Sequence, residues 1–212
     1  MKKNKSWLLV IGSFLILGGI GLISYDYYSN MKLNNQEEQA IEEFYSIEEI
    51  EEDIIEEPQK VEEVKEQVKI NYIAVLKIPK INLERGLVDP NSYLNNVNYN
   101  LEILDGSSMP DQAKSNLIIA GHSGNSRISF FKNLKKLVIS DEIFIDYKNN
   151  TYEYKVVDIY EIEKTGIAEI IKNQNATTLT LITCKHNTNK QIVIIAELQN
   201  EGGKYERKKK AK

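Results

Sequence analysis

The single cysteine of this chain lies where a nucleophile is rigidly held and accessible. Cys184 closes the apolar run 178–184 and is followed at once by the polar, turn-like residues 185–189. Alternation along a strand places its side chain on the same face as that of Thr180. A free thiol is mostly protonated at neutral pH, and the thiolate is the reactive form. Chemistry at Cys184 therefore requires a partner that accepts or shares a proton.

Two histidines are available as that partner. His186 follows Cys184 by two residues, and we expect its side chain to point into the loop. His122 follows the apolar run 116–120 after Gly121, and we expect the glycines on either side, Gly121 and Gly124, to bend the chain and keep the imidazole uncrowded. A lone histidine is more often structural than catalytic, but His122 ends one strand as Cys184 ends another. We therefore predict that His122 is the acid/base partner of Cys184.

Short β-rich segments must position these two side chains. With 212 residues, of which 42% are apolar, the chain has room for one domain with a buried core. Runs rich in Val, Ile, Tyr and Thr predict strands at 72–78, 116–120, 142–147, 151–162, 178–184 and 191–198. Residues 148–151 are typical of a hairpin turn, and 129–137 is the one short amphipathic helix candidate. Many short strands predict an all-β domain, either a closed or nearly closed barrel or a sandwich.

A membrane segment precedes this domain. Residues 7–25 carry no charge and are long enough to cross a bilayer as a helix. Lysines precede the run and Asp26 follows it, which predicts a cytoplasmic N-terminus at 1–6 and an extracellular remainder. The alternative is a cleaved signal peptide. We favour the anchor because the run exceeds the usual apolar region of about 7–15 residues and no small-x-small site follows.

The segments flanking the domain are charged. The net charge is only −4, but glutamates crowd residues 26–70 and lysines crowd 200–212. We expect 26–70 to be an extended acidic stalk, although Ile41, Phe44 and Tyr45 recur at helical spacing. A docking or regulatory segment is the alternative. The basic tail is expected to be a disordered end, with contact to anionic wall polymers or lipid head groups as the alternative. The domain itself is expected to span 71–199.

Three motifs in order along the chain resemble the sortase family. Residues 180–184 read Thr-Leu-Ile-Thr-Cys, similar to the family signature T-L-x-T-C, and Gly121-His122 is similar to the setting of the sortase catalytic histidine. Upstream, residues 78–81 read Ile-Pro-Lys-Ile, which resembles the I-P-x-I opening strand of sortase barrels. The resemblance covers roughly residues 73–198.

The resemblance implies a fold, a reaction and its partners. Sortases have a closed eight-stranded β-barrel and cleave secreted proteins at a C-terminal sorting signal of the L-P-x-T-G type. The acyl group is held as a thioester, here on Cys184, until an amine from a peptidoglycan precursor or a pilin lysine releases it. His122 would protonate the leaving amine. Four residues are expected to contact substrate: Thr183 in the motif, Lys185 next to it, Lys190 and Arg127. The backbone N–H of Lys185 is expected to be an oxyanion donor. No cofactor is implied.

One position departs from the family pattern. Sortases carry an arginine on the strand after the cysteine, just before an apolar run, and this chain has Lys190-Gln191 there. Alternation puts these two side chains on opposite faces, and we favour Gln191 as the replacement, donating through its amide. Lys190 supplies charge without a planar fork, and Arg127, five residues after His122, is a third candidate.

Other functions remain open at this point. The missing arginine is compatible with a non-catalytic sortase-fold scaffold that binds sorting signals. L,D-transpeptidases and papain-like hydrolases are also cysteine enzymes of the cell wall, but the order and spacing of His122 and Cys184 fit neither. Two histidines without an H-E-x-x-H motif give no metal site, and nothing indicates nucleic-acid binding.

Overall fold

The computed structural model describes residues 4–51, 70–165 and 175–204, and the chain divides after Gln39 into two compact units. The first unit belongs to a single long helix, α1, spanning Asn4–Glu51. Its segment Val10–Ser29 has a mean hydropathy of 1.5 and none of it is buried. By length and composition this segment is able to cross a membrane, and it overlaps the predicted span at 7–25.

The second unit contains eight strands that form one sheet within the described residues. The strands are β1 Tyr72–Ile78, β2 Leu83–Val88, β3 Glu102–Ile103, β4 Asn116–Gly121, β5 Glu142–Tyr147, β6 Asn150–Glu163, β7 Thr178–Cys184 and β8 Lys190–Lys204. Their order across the sheet is β2-β1-β5-β6-β8-β7-β4-β3. The β4–β7 pair is parallel, and the other pairs are antiparallel. The six predicted strands are all present. Strand β8 continues to Lys204, into the segment expected to be the tail, and residues 205–212 lie outside the described residues.

The sheet curls into a nearly closed barrel, which confirms the predicted fold class. The two edge strands are β2 and β3, and Asn100, two residues before β3, is buried beside β2. The amide of Asn100 accepts from Arg85 Nε at 2.6 Å and donates to the carbonyl of Gly86 at 2.9 Å. The side-chain amide of Asn100 therefore ties the chain just before β3 to the edge strand β2. Covering an edge in this way protects its backbone groups from other chains.

Alternating side chains of the strands fill the barrel. In β7 the inward residues are Leu179 and Leu181, and in β8 they are Ile192, Ile194 and Ala196. They pack with the other apolar side chains of one continuous core, among them Leu76, Ile78, Leu117, Ile119, Ile143, Ile145 and Tyr154. The period of two in these strands is what places Cys184 and Thr183 on opposite faces.

The turn between β5 and β6 is the hairpin connection that the sequence predicted. Lys148 and Asn149 have φ angles of 47° and 60° between the paired residues Tyr147 and Asn150, as a two-residue hairpin of the left-handed type requires. The predicted hairpin is therefore confirmed.

The predicted helix at 129–137 is wrong. The segment forms successive turns with a single 3₁₀ turn, Leu134–Lys136. Its apolar side chains, Phe131, Leu134 and Leu137, recur every third residue and are buried in the core. That spacing fits three residues per turn better than 3.6, which explains why no α-helix forms.

The end of α1 packs on the outside of the barrel. Ile41, Phe44 and Tyr45 are buried in a second apolar cluster with residues of β1 and β2, including Val75 and Val88. This part of the acidic segment is therefore a docked helix rather than a solvated stalk, because its helically spaced apolar residues find a partner surface. Residues 52–69 of the predicted stalk lie outside the described residues.

Candidate active site

The parallel pairing of β4 with β7 brings the two predicted catalytic residues to the same end of two neighbouring strands. The last paired position is Gly121 opposite Thr183. His122 and Cys184 are each the next residue, so they lie side by side at the point where β4 ends. Both side chains are half-buried. A histidine next to a half-exposed thiol is the arrangement that general-base activation of a nucleophile needs.

Glycine is required before His122 because of close packing. A Cβ on Gly121 would lie 2.6 Å from Leu101 Cδ2 and 2.9 Å from Phe131 Cδ2. Gly121 is still within the regular strand β4, and its φ is not in the left-handed region. The sequence interpretation that this glycine bends the chain is therefore wrong. Its role is to let two core side chains pack directly under the histidine loop.

Side-chain hydroxyls connect the ends of β4 and β7. Thr183 Oγ1 donates to the carbonyl of Gly121 at 2.7 Å, and Ser123 Oγ donates to the carbonyl of Cys184. The carbonyl of His122 accepts from the backbone N–H of Phe131 at 2.9 Å. Hydrogen bonds thus hold the backbone at Gly121, His122 and Ser123. No role for Ser123 was predicted from the sequence.

Gln191 lies directly opposite Cys184 in the β7–β8 pair. Residues opposite each other in an antiparallel pair share a face of the sheet, with Cβ atoms about 4.5–5.5 Å apart. Gln191 is half-buried, and its side chain therefore emerges beside the thiol. Lys190 is the neighbouring residue and emerges on the other face. Of the three candidates for the missing arginine, Gln191 is the one that lies opposite Cys184, and its role there stays a prediction.

The two lysines that were predicted to contact substrate, Lys185 and Lys190, form ion pairs within the protein. The ammonium groups of Lys185 and Lys190 both pair with Glu161 on β6, the second at 3.7 Å from Oε2. The hydrogen bond from Lys185 holds the pKa of the exposed Glu161 carboxyl below its usual range, with a smaller contribution from Lys190. The two lysines therefore form a charge cluster on one carboxylate at the rim of the site.

The predicted oxyanion donor is also engaged. The backbone N–H of Lys185 donates to the carbonyl of Lys190 at 2.8 Å, continuing the β7–β8 ladder beyond Cys184. The expectation that this N–H is free to stabilise an oxyanion is therefore wrong. The reason lies in the short turn 186–189, which lets the hairpin pair one residue further than the end of β7.

A cavity of about 370 Å³ opens beside Cys184. Thr183, Cys184 and Lys185 line it among the predicted site residues, and so does His186, which is otherwise exposed. The remaining lining residues are of three kinds: the apolar Phe131, Leu134, Leu137, Ile159 and Ile192, the cationic Lys132 and Lys135, and Ser123, Tyr160 and Glu161. The mixed apolar and polar lining suits a partly apolar chain segment next to the thiol.

The other predicted residues lie outside the cavity wall. His122, Gln191 and Lys190 lie at the strand ends around Cys184. Arg127 is exposed in a turn of the loop that follows His122. The structure thus groups His122, Cys184, Gln191 and Thr183 on adjacent strand ends, and it leaves Arg127 on the loop. His186 becomes a second histidine to test, since it shares the cavity with Cys184.

Comparisons with known proteins identify the same architecture. Residues 76–199, more than half of the chain, match the family model described as the Sortase domain. The chain is 25% identical over 207 residues to sortase A of Bacillus anthracis, covering 91% of this chain and 95% of that protein.

Solved structures agree in fold. A sortase D5 transpeptidase of Clostridium perfringens has a TM-score of 0.56 at 21% identity and covers 79% of this chain and 98% of its own. A sortase C of the same organism, determined with the C-terminal cell wall sorting motif, has a TM-score of 0.54 at 19% identity, with coverages of 62% and 72%.

Proposed function

The chain belongs to the sortase family, whose members are cysteine transpeptidases of the cell envelope, and on this premise we propose that it is a membrane-anchored transpeptidase acting through Cys184. Its substrate is a secreted protein with a C-terminal LPxTG-like sorting signal. Its acceptor is an amine of a peptidoglycan precursor or of a pilin lysine. The observation that carries the proposal is the β4–β7 register, which supports a paired role for His122 and Cys184 at one sheet edge.

The first half-reaction forms a thioester. The Cys184 thiolate attacks the carbonyl carbon of the scissile peptide bond, and the carbonyl oxygen becomes an oxyanion. As the tetrahedral intermediate collapses, the C–N bond breaks and the His122 imidazolium gives its proton to the departing amine. The acyl group is then bound to Sγ of Cys184, and His122 is neutral.

The second half-reaction returns the enzyme to its starting state. The acceptor amine attacks the thioester carbonyl while neutral His122 takes up the proton that the nitrogen loses. The C–S bond breaks, an amide forms, and the thiolate and imidazolium are restored. Each proton that leaves His122 in the first half-reaction is thus recovered in the second.

Stabilisation of the oxyanion falls to side chains in this account. The N–H of Lys185 is used in the ladder, and the hydroxyl of Thr183 donates to Gly121. Gln191, beside the thiol, offers an amide donor where the family has arginine. A neutral donor supplies less stabilisation than a guanidinium, so a slower acyl-transfer step than in arginine-bearing sortases is expected.

Amine-dependent turnover by the full chain tests the proposal. The chain in bilayer nanodiscs is incubated with a library of LPxTG-like peptides, with and without an amine acceptor, and products are read by mass spectrometry. The proposal expects cleavage and, with amine present, ligated product. Cleavage and ligation that persist in Cys184→Ala would contradict it.

Location is tested separately. We propose that α1 anchors the chain with its N-terminus in the cytoplasm and the barrel outside, as Lys2, Lys3 and Lys5 before the apolar run favour. Protease added to protoplasts should then digest the barrel. A barrel that stays protected until the membrane is opened would overturn this orientation.

A non-catalytic scaffold is the second candidate, and the glutamine at position 191 is the observation that favours it. A scaffold has no need of an activated thiol. Labelling with a thiol-reactive sulfone separates the two functions, because an activated Cys184 reacts at pH values well below the ordinary pKa of a free thiol. Labelling that rises only near that ordinary value would favour the scaffold.

A further inference from the structure

Strand β4 ends too early to pair with the last residue of β7. In the β7–β8 hairpin, Lys185 and Lys190 are joined by a backbone hydrogen bond, so the preceding pair, Cys184 and Gln191, is of the non-hydrogen-bonded kind. The carbonyl of Cys184 therefore points away from β8, toward β4. Because β4 stops at Gly121, no strand residue remains there to satisfy it.

Ser123 supplies the missing donor. Its hydroxyl, which is half-buried, donates to the carbonyl of Cys184. One position earlier, the hydroxyl of Thr183 donates to the carbonyl of Gly121 at 2.7 Å. Two hydroxyls thus connect β7 to the β4 side: that of Thr183 at the last pair of the ladder, and that of Ser123 one step beyond it. His122 lies between Gly121 and Ser123, the two residues through which its segment is bonded to β7.

We propose that Ser123 is a positioning residue that holds the His122 loop in register with Cys184. This inference rests on the proposed function, in which the imidazole of His122 exchanges a proton with the nitrogen bound to the carbonyl carbon that Sγ of Cys184 attacks. Such exchange needs heavy-atom distances of about 2.6–3.2 Å. A displacement of about 1 Å at a reacting centre costs on the order of 10²-fold in rate. The hydroxyl of Ser123 acts on the backbone, so its removal changes the geometry of the pair and removes no group that reacts.

The loop offers a matched control. Ser126 lies three residues further on, and its hydroxyl bonds to that of Ser129 at 2.9 Å, without any contact to Cys184 in the described hydrogen bonds. Ser126→Ala therefore removes a hydroxyl from the same loop and leaves the Cys184 carbonyl satisfied. Ser123→Thr keeps the hydroxyl, and Ser123→Val has the shape of threonine without it. Ser123 lines the cavity, so an added methyl group has space.

The experiment uses the full chain in nanodiscs and two readouts. The first is turnover of an LPxTG-like peptide with amine, separated into kcat and KM. The second is the pH profile of Cys184 alkylation by iodoacetamide, which requires no sorting substrate. We expect Ser123→Ala and Ser123→Val to lower kcat by about 10-fold to 10²-fold with KM nearly unchanged. Their alkylation profiles should move toward that of a free thiol, while Ser123→Thr and Ser126→Ala match the wild type.

The outcomes separate this inference from the function beneath it. Wild-type kcat and an unchanged alkylation profile in Ser123→Ala would overturn the positioning role while leaving the transpeptidase intact. Full activity of Cys184→Ala would instead overturn the proposed function. If Ser123→Ala loses its fold, as seen by its unfolding midpoint, the Thr and Val variants repeat the comparison at equal volume. Equal kcat and equal profiles in that pair would also overturn the inference.

Discussion

Two polar clusters on different walls of the barrel use their hydrogen bonds in opposite ways. On β5, the carboxylate of Asp146 is 1% exposed and accepts from Tyr45 Oη and Thr151 Oγ1, both at 2.7 Å, and from Lys77. At the ends of β4 and β7, the hydroxyls of Ser123 and Thr183 donate to backbone carbonyls, while the side chains of His122 and Cys184 stay half-exposed.

One cluster therefore serves the stability of the fold, and the other serves the chemistry at Cys184. A buried carboxylate is costly unless its oxygens are bonded, so the Asp146 cluster fixes the docked end of α1 on the barrel. At the ends of β4 and β7, the side-chain hydrogen bonds fix the backbone, and the reactive groups of His122 and Cys184 remain accessible to substrate. Changes at the first cluster should therefore affect unfolding, and changes at the second should affect turnover.

The largest expected effect is at the nucleophile. Cys184→Ala should abolish peptide cleavage and ligation, because no other thiol exists in the chain. Its urea midpoint should match the wild type, since the side chain lies at a strand end outside the core. A variant that unfolds instead would show that the Cys184 edge also carries stability, and the contrast between the two clusters would fail.

The two histidines sharpen the contrast next. His122→Ala should lower kcat by about 10²–10⁴-fold, the usual contribution of a general acid–base. His186→Ala should have little effect, because His186 lies in the turn beyond the ladder even though it lines the cavity. The measurement is kcat for both variants under the same amine concentration. A larger loss in His186→Ala would move the acid/base role into the cavity.

Gln191 should give a smaller but still large effect. Loss of one oxyanion donor typically costs on the order of 10²–10³ in turnover, and Gln191→Ala should fall in that range. Lys190→Ala and Arg127→Ala serve as controls and should change turnover far less. Gln191→Arg should preserve or raise activity. If Arg127→Ala gives the large loss instead, the loop arginine has taken over the role. If no variant changes turnover, the side-chain assignment should be dropped.

The smallest expected effect is at the Asp146 cluster, and it is a change in the free energy of unfolding. Tyr45→Phe removes one hydrogen bond to the buried carboxylate of Asp146, which should cost about 1.5–3 kcal/mol of unfolding free energy. Chemical denaturation of the full chain in nanodiscs measures it, and kcat should not change. Lost turnover at unchanged stability would couple the docked helix to the site and contradict the separation.

Much of the barrel is readable from the sequence. Strands such as Tyr72–Ile78 and Glu142–Tyr147 are dense in β-branched and aromatic residues, and both lie where predicted. Strand β2 was missed because Glu84-Arg85-Gly86 interrupts its apolar pattern, and β3 because it has only two residues. These edge strands depend on tertiary pairing more than on local preference.

The site is only partly readable. The types and positions of Cys184 and His122 identify them, but their adjacency depends on the parallel β4–β7 register, which no local pattern encodes. Ser123 gives no sequence signal, since a serine after a histidine is ordinary in a loop. The engagement of the Lys185 N–H was also hidden, because it depends on how far the hairpin pairs beyond Cys184.

The most direct test of the whole account is to trap the acyl intermediate. The full chain in nanodiscs is mixed with an LPxTG-like peptide without amine, quenched in acid and analysed by mass spectrometry of its proteolytic fragments. The proposed mechanism predicts an acyl adduct on the fragment containing Cys184, which disappears when an amine or hydroxylamine is added before quenching. Peptide cleavage without any adduct on Cys184, or an adduct on another residue, would contradict it.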